Sequence, residues 1–126
     1  MEKIFNFLRI KKIYKVTVMR FQDGNKYVID GKKQQKINAK KTDTLIFEIP
    51  NQDYKNHPFR FSKTNDGIHN NGEAYTDGVV VTSDEQTTTI TINLKNLGTK
   101  LYYYCEKHKG MGSIINIKSS SNYSGY

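Results

Sequence analysis

One cysteine stands in 126 residues, and that scarcity excludes much. A single thiol rules out an internal disulfide framework, a four-cysteine zinc site and four-cysteine iron–sulfur ligation within one chain. A long apolar run is also missing, so no transmembrane helix is expected. The early segment Ile4-Phe5-Asn6-Phe7-Leu8 meets Arg9, Lys11 and Lys12 too soon to be the core of a signal peptide. Asp66, Glu73 and Asp77 lack the spacing of a calcium loop and read as loop solubility and turn residues. Arginine is scarce, with 3 against 17 lysines, which argues against sequence-specific reading of bases. No stretch carries a sustained helical period.

What is present begins with charge. Residues 1–41 hold 12 basic and 3 acidic side chains, while the other 85 residues hold 8 and 9. The first third is therefore a basic surface on a nearly neutral body. Such asymmetry suggests a polyanion as partner, whether nucleic acid, an acidic membrane face or an acidic protein. Solubility and the lysine-rich usage of an AT-rich genome account for the same residues in a blander way.

Short alternation broken by turns recurs along the chain, the mark of an antiparallel β protein. Val16 and Val18 alternate with Thr17 and Met19 before the turn Gln22-Asp23-Gly24-Asn25. Tyr27 and Ile29 precede a second turn at Asp30-Gly31, and Leu45, Phe47 and Ile49 make a strand closed by Pro50. His57, Phe59 and Phe61 share a face of the next strand, and residues 62–78 read as a long loop. Val79-Val80-Val81 is a short strand, and Thr88, Ile90, Ile92 and Leu94 give the clearest alternation. After the turn Asn96-Leu97-Gly98 come Leu101 to Cys105, then a last strand with Ile115 and Ile117 inward. Tyr102 and Tyr104 fall on the outer face. Seven or eight such strands predict an all-β fold, a Greek-key β-sandwich, with a small barrel as the fallback. Residues 1–14 are expected to be a basic arm or edge strand, 15–118 the domain, and 119–126 a flexible low-complexity tail.

The chemistry concentrates in Cys105-Glu106-Lys107-His108-Lys109-Gly110-Met111-Gly112. Cys-x2-His-x2-Met puts a thiolate, an imidazole and a thioether on one tight loop between two strands. Strand parity turns Cys105 inward with Leu101 and Tyr103. His57, at the start of its strand, offers a second imidazole. His69 is the other candidate, unless it braces its own loop by hydrogen bonding. Two histidines, a cysteine and a weak axial methionine are the donors of mononuclear blue copper. A site so filled leaves no position for substrate. It implies electron transfer with no catalytic residue, so no enzyme.

The segment from Tyr27 to Ile117 resembles the cupredoxins. The likeness rests on Tyr27-Val28-Ile29-Asp30-Gly31, Leu45-Ile46-Phe47, His57-Pro58-Phe59-Arg60-Phe61-Ser62, Asp66-Gly67-Ile68-His69, Leu101 to Cys105, and His108-Lys109-Gly110-Met111-Gly112. It is strongest to cupredoxin-like domains of large DNA viruses, marine phages and marine bacteria. The resemblance implies one type 1 copper ion held by His57, Cys105, His108 and Met111, and a redox partner protein. It departs from the family in two ways. Carriers of this family are mostly exported, whereas no export address is expected here, so the location expected is intracellular or virion-associated. The family also tends to place Asn after its first histidine, with a backbone N–H on the cysteine sulfur, where this chain has Pro58. The alternative function is a structural or interaction module, such as a virion component, on a cupredoxin scaffold with its basic third facing a polyanion. Copper storage or delivery is a third class, poorly served by one closed site.

Overall fold

A computed structural model describes residues 10–119 of the chain. Among them ten strands form two sheets. They are β1 (Lys11–Phe21), β2 (Gly24–Ile29), β3 (Lys32–Lys33), β4 (Ile37–Lys40), β5 (Thr44–Pro50), β6 (Phe59–Ser62), β7 (Val79–Ser83), β8 (Thr87–Asn93), β9 (Lys100–Cys105) and β10 (Ser113–Lys118). One sheet runs β3-β2-β1-β5-β8-β7 and the other β4-β10-β9-β6. A short helix, α1 (Asn51–Asn56), leads from one sheet to the other, and a 3-10 turn spans Gly67–Asn70.

Alternation decides which residues face inward. Leu45, Phe47 and Ile49 on β5 stand opposite Ile92, Ile90 and Thr88 on β8, and all six are buried. From the other sheet come Phe59, Phe61, Leu101, Tyr103 and Ile115, also buried. Aromatic rings fill the space between the sheets. Phe59 lies 5.0 Å from Phe47, 4.9 Å from Tyr27 and 5.2 Å from Tyr103, ring centre to ring centre. Each such side chain contributes roughly 1.5–3 kcal/mol when fully buried. The rings hold the sandwich.

The β-sandwich expected is present, with differences in detail. Ten strands replace seven or eight, because the short β3 and β4 carry too few residues to show a pattern. Pairing is mixed rather than purely antiparallel: β1 lies parallel to β5, and β10 parallel to β4. The boundary expected at residue 14 falls inside β1, where Lys11 to Tyr14 pair with Thr44 to Phe47. Residues 1–9 of the arm and 120–126 of the tail lie outside the described residues. Tyr104 is buried, not outward. The loop after β6 folds over it so closely that a Cβ on Gly67 would lie 2.5 Å from its ring. Tyr102 is half-buried. No helix of the described residues is long and apolar enough to cross a membrane.

Candidate metal centre

Cys105 ends β9, opposite Phe59 on β6, and is fully buried. His57 follows α1, and its N–H closes that helix on the Asp53 carbonyl at 2.8 Å. Pro58 has no N–H and stops the helix there, so the chain turns into β6. His57 therefore sits just before its strand rather than on it. Between β9 and β10 the loop returns to the same end of the sandwich, and the Glu106 N–H meets the Pro58 carbonyl at 3.0 Å.

Three donor atoms converge there. Nδ1 of His57 lies 3.2 Å from Nδ1 of His108, and Cys105 Sγ lies 3.8 Å and 3.6 Å from them. Atoms so spaced share a point about 2.1 Å from each, within the roughly 2.0–2.3 Å of metal–nitrogen and metal–sulfur bonds. Among the described residues no other group of three His, Cys, Asp or Glu side chains converges this way. Burial, then the charge of His108, holds His57 below the usual imidazole value. That keeps it neutral, with a lone pair to donate. The donor set, soft sulfur plus two imidazoles, fits copper.

Met111 lies on the same loop. Residues 106–110 are exposed, whereas Met111 is buried in the core cluster. Its carbonyl accepts the N–H of Tyr27 at 3.0 Å. His69 does not join the three donors. Its Nε2–H donates to the Cys105 carbonyl at 2.8 Å, and its ring stands edge-on to Tyr104. It braces the backbone of a site residue.

Distant residues hold the loop, and sequence reading missed them. Lys26 Nζ donates to the Gly110 carbonyl at 2.7 Å. Gln34 Nε2 donates to the carbonyls of Gly110 and Gly112 at 3.2 Å and 2.8 Å. The Asp66 carboxylate accepts the Gly110 N–H at 3.1 Å, a task its reading as loop solubility did not foresee. At Gly112 a Cβ would lie 1.7 Å from the Tyr103 carbonyl oxygen, so only glycine fits. The Tyr27 phenol donates to the His57 carbonyl at 2.6 Å. Burial first, then the charge of Cys105, pushes that phenol well above its ordinary value, so it stays protonated. The one signal for Tyr27 and Asp66 was their place in the segments that carried the sequence resemblance.

No protein-family model matches the chain, and no curated protein does. Solved structures do. Reduced rusticyanin superposes with a TM-score of 0.51 at 15% identity, covering 86% of this chain and 79% of its own. The multicopper oxidase mgLAC gives 0.45 at 15% identity, over 88% of this chain and 39% of that one. A cysteine protease inhibitor from Entamoeba histolytica gives 0.41 at 12% identity, over 87% and 97%. The likeness to rusticyanin bears on the fold alone. The two mixed sheets make a cupredoxin-type β-sandwich.

Proposed function

We propose that the chain holds one copper ion in a type 1 centre and carries single electrons. The observation behind this is the meeting of Cys105 Sγ with the Nδ1 atoms of His57 and His108 within 3.8 Å at one end of the sandwich. Bound copper supplies a one-electron couple between Cu(I) and Cu(II). Cys105 would hold the ion through its thiolate, His57 and His108 through their imidazoles, and Met111, on the same loop, through its thioether. The hydrogen bonds from Lys26, Gln34 and Tyr27, with Asp66 on the Gly110 N–H, keep the loop in place, so little needs to rearrange when charge changes. Three donors converge, and with Met111 as a fourth such a site would leave no room for a substrate, which favours a carrier over an enzyme.

Burial grades outward across the donors, from hidden Cys105 to half-buried His57 to exposed His108. His108 is thus the short way to a partner. Exposed Lys107 and Lys109 flank it, and Lys107 Nζ reaches the carbonyl of exposed Lys55 at 3.3 Å. A redox partner with an acidic face suits that rim.

Titration with Cu(II) tests the reading. One equivalent should bind and give an intense visible band from the thiolate-to-copper transition. Cys105→Ser should lose the band, and Met111→Leu should keep it while raising the potential. Uptake of Zn(II) with no coloured copper form would falsify the proposal.

A further inference from the structure

Tyr27 belongs to neither segment that carries the donor atoms, yet it bonds to both. Its phenol donates to the His57 carbonyl at 2.6 Å, and its backbone N–H donates to the Met111 carbonyl at 3.0 Å. The side chain is completely buried, edge-on to Phe59 at 4.9 Å and tilted against Tyr103 at 6.2 Å. Packing of that kind leaves the phenol oxygen a fixed position. The peptide between His57 and Pro58 has only one hydrogen-bonding group, because proline lacks the N–H. That group is the carbonyl Tyr27 holds. The residues beside Tyr27 grip the other segment. Lys26 reaches the Gly110 carbonyl, and Gln34, whose N–H donates to the Tyr27 carbonyl at 2.8 Å, binds the carbonyls of Gly110 and Gly112.

We propose that Tyr27 is the positioning residue of the metal centre, its hydroxyl fixing where His57 stands relative to the loop from Cys105 to Met111. The inference rests on the metal-centre reading above. Removing the hydroxyl leaves a carbonyl without its partner, so the His57 segment moves to find another. Because the separation of the donor nitrogens is set by the placement of these segments, that movement shows at the metal and not only in stability.

The test compares Tyr27→Phe with Tyr103→Phe in the full chain. The Tyr103 phenol donates to the Gln35 carbonyl at 2.7 Å, and its ring stacks on Phe59 at 5.2 Å. Each variant thus loses one phenol-to-carbonyl bond of a buried tyrosine, and only the first bond ends on a donor-bearing segment. Both should fold and lose similar thermal stability. Tyr27→Phe should weaken Cu(II) binding by about 10- to 100-fold, as loss of an outer partner of a metal ligand does. It should also shift the thiolate band. Tyr103→Phe should leave affinity and band unchanged. In the metal-free proteins, the His57 ring signals in the NMR spectrum should broaden or double for Tyr27→Phe alone. Equal effects of the two variants on affinity and ring signals would overturn the inference, as would wild-type values for Tyr27→Phe. If the wild type takes up no copper, the metal reading falls, and the ring signals of the metal-free proteins still decide the role of Tyr27. If Tyr27→Phe does not fold, the wild type decides. A Tyr27 hydroxyl proton shielded from exchange and close to the Pro58 protons supports the role, and a freely exchanging one refutes it.

Discussion

At Pro58 a single residue removes a hydrogen-bond donor from beside a candidate ligand. Among the described residues the side chains facing Cys105 Sγ are the two imidazoles and the Tyr27 phenol, and no backbone N–H bonds to it. A donor on the sulfur would withdraw electron density and favour the reduced metal. Pro58→Asn restores an N–H, so the potential should rise by on the order of 40 mV if the new bond nets about 1 kcal/mol. Voltammetry reads this directly. A fall, or no change with the colour intact, would mean the new N–H does not reach the sulfur. His57 adds a pH dependence with a definite sign. Its folded value is depressed, first by burial and then by the charge of His108, so the folded state binds fewer protons. Stability from this group is present above the ordinary imidazole range, about 6.5, and is lost as pH falls through the lower folded value. Copper affinity should fall in the same direction, since only the neutral ring donates.

The β7–β8 hairpin shows how an element can turn on one carboxylate. Asp84 Oδ1 accepts the N–H groups of Gln86 and Thr87, both at 2.8 Å, and the Asp84 N–H meets the Thr87 carbonyl at 3.0 Å. These donors hold the acid below its usual value, the Gln86 bond first. A depressed acid stabilises above its unfolded value, near 3.9, and the contribution disappears as pH falls through the folded one. Wild type should therefore be more stable than Asp84→Asn in urea at pH 7, and the gap should close below pH 3. A gap that persists in acid would mean that the charge is not what closes the turn. The pattern of β8 was plain in the sequence because Ile90 and Ile92 alternate with Thr89 and Thr91. The other added pieces were hidden for physical reasons. α1 has six residues, no buried side chain and no side-chain cap, so it carries no pattern to find. The spacing of Cys105 and His108 is local and legible, whereas His57 reaches the site from the end of α1 and not by the strand parity expected of it. Lys26, Gln34 and Asp66 hold Gly110 from 84, 76 and 44 residues away. Only the folded chain brings those together.

Over the whole molecule, charge and core set what metal can add. Part of the basic first third is already paired: Lys12 with Asp43, Lys15 with Glu48, and both Lys26 and Lys33 with Asp23. Pairing reduces the charge offered to a polyanion, so binding to duplex DNA should be weak and disappear as salt rises. Tight binding that survives salt would reinstate a nucleic-acid role. The metal acts on stability in another way. The core is a continuous cluster from both sheets, including Phe47, Phe59, Phe61 and Tyr103, and it needs no ion to be buried. The metal-free chain should therefore be folded, unlike small domains whose fold depends on their zinc. Copper then stabilises by mass action, by about 2.7 kcal/mol at a free concentration one hundred times Kd. For a domain of this size that raises Tm by roughly 10 °C. Cys105→Ser should melt near the metal-free wild type and gain much less from Cu(II), because the soft sulfur is the donor it lacks. Scanning calorimetry of the two proteins, with and without Cu(II), checks both statements. A metal-free wild type that shows no cooperative transition would mean that the metal, and not the aromatic core, holds the sandwich together.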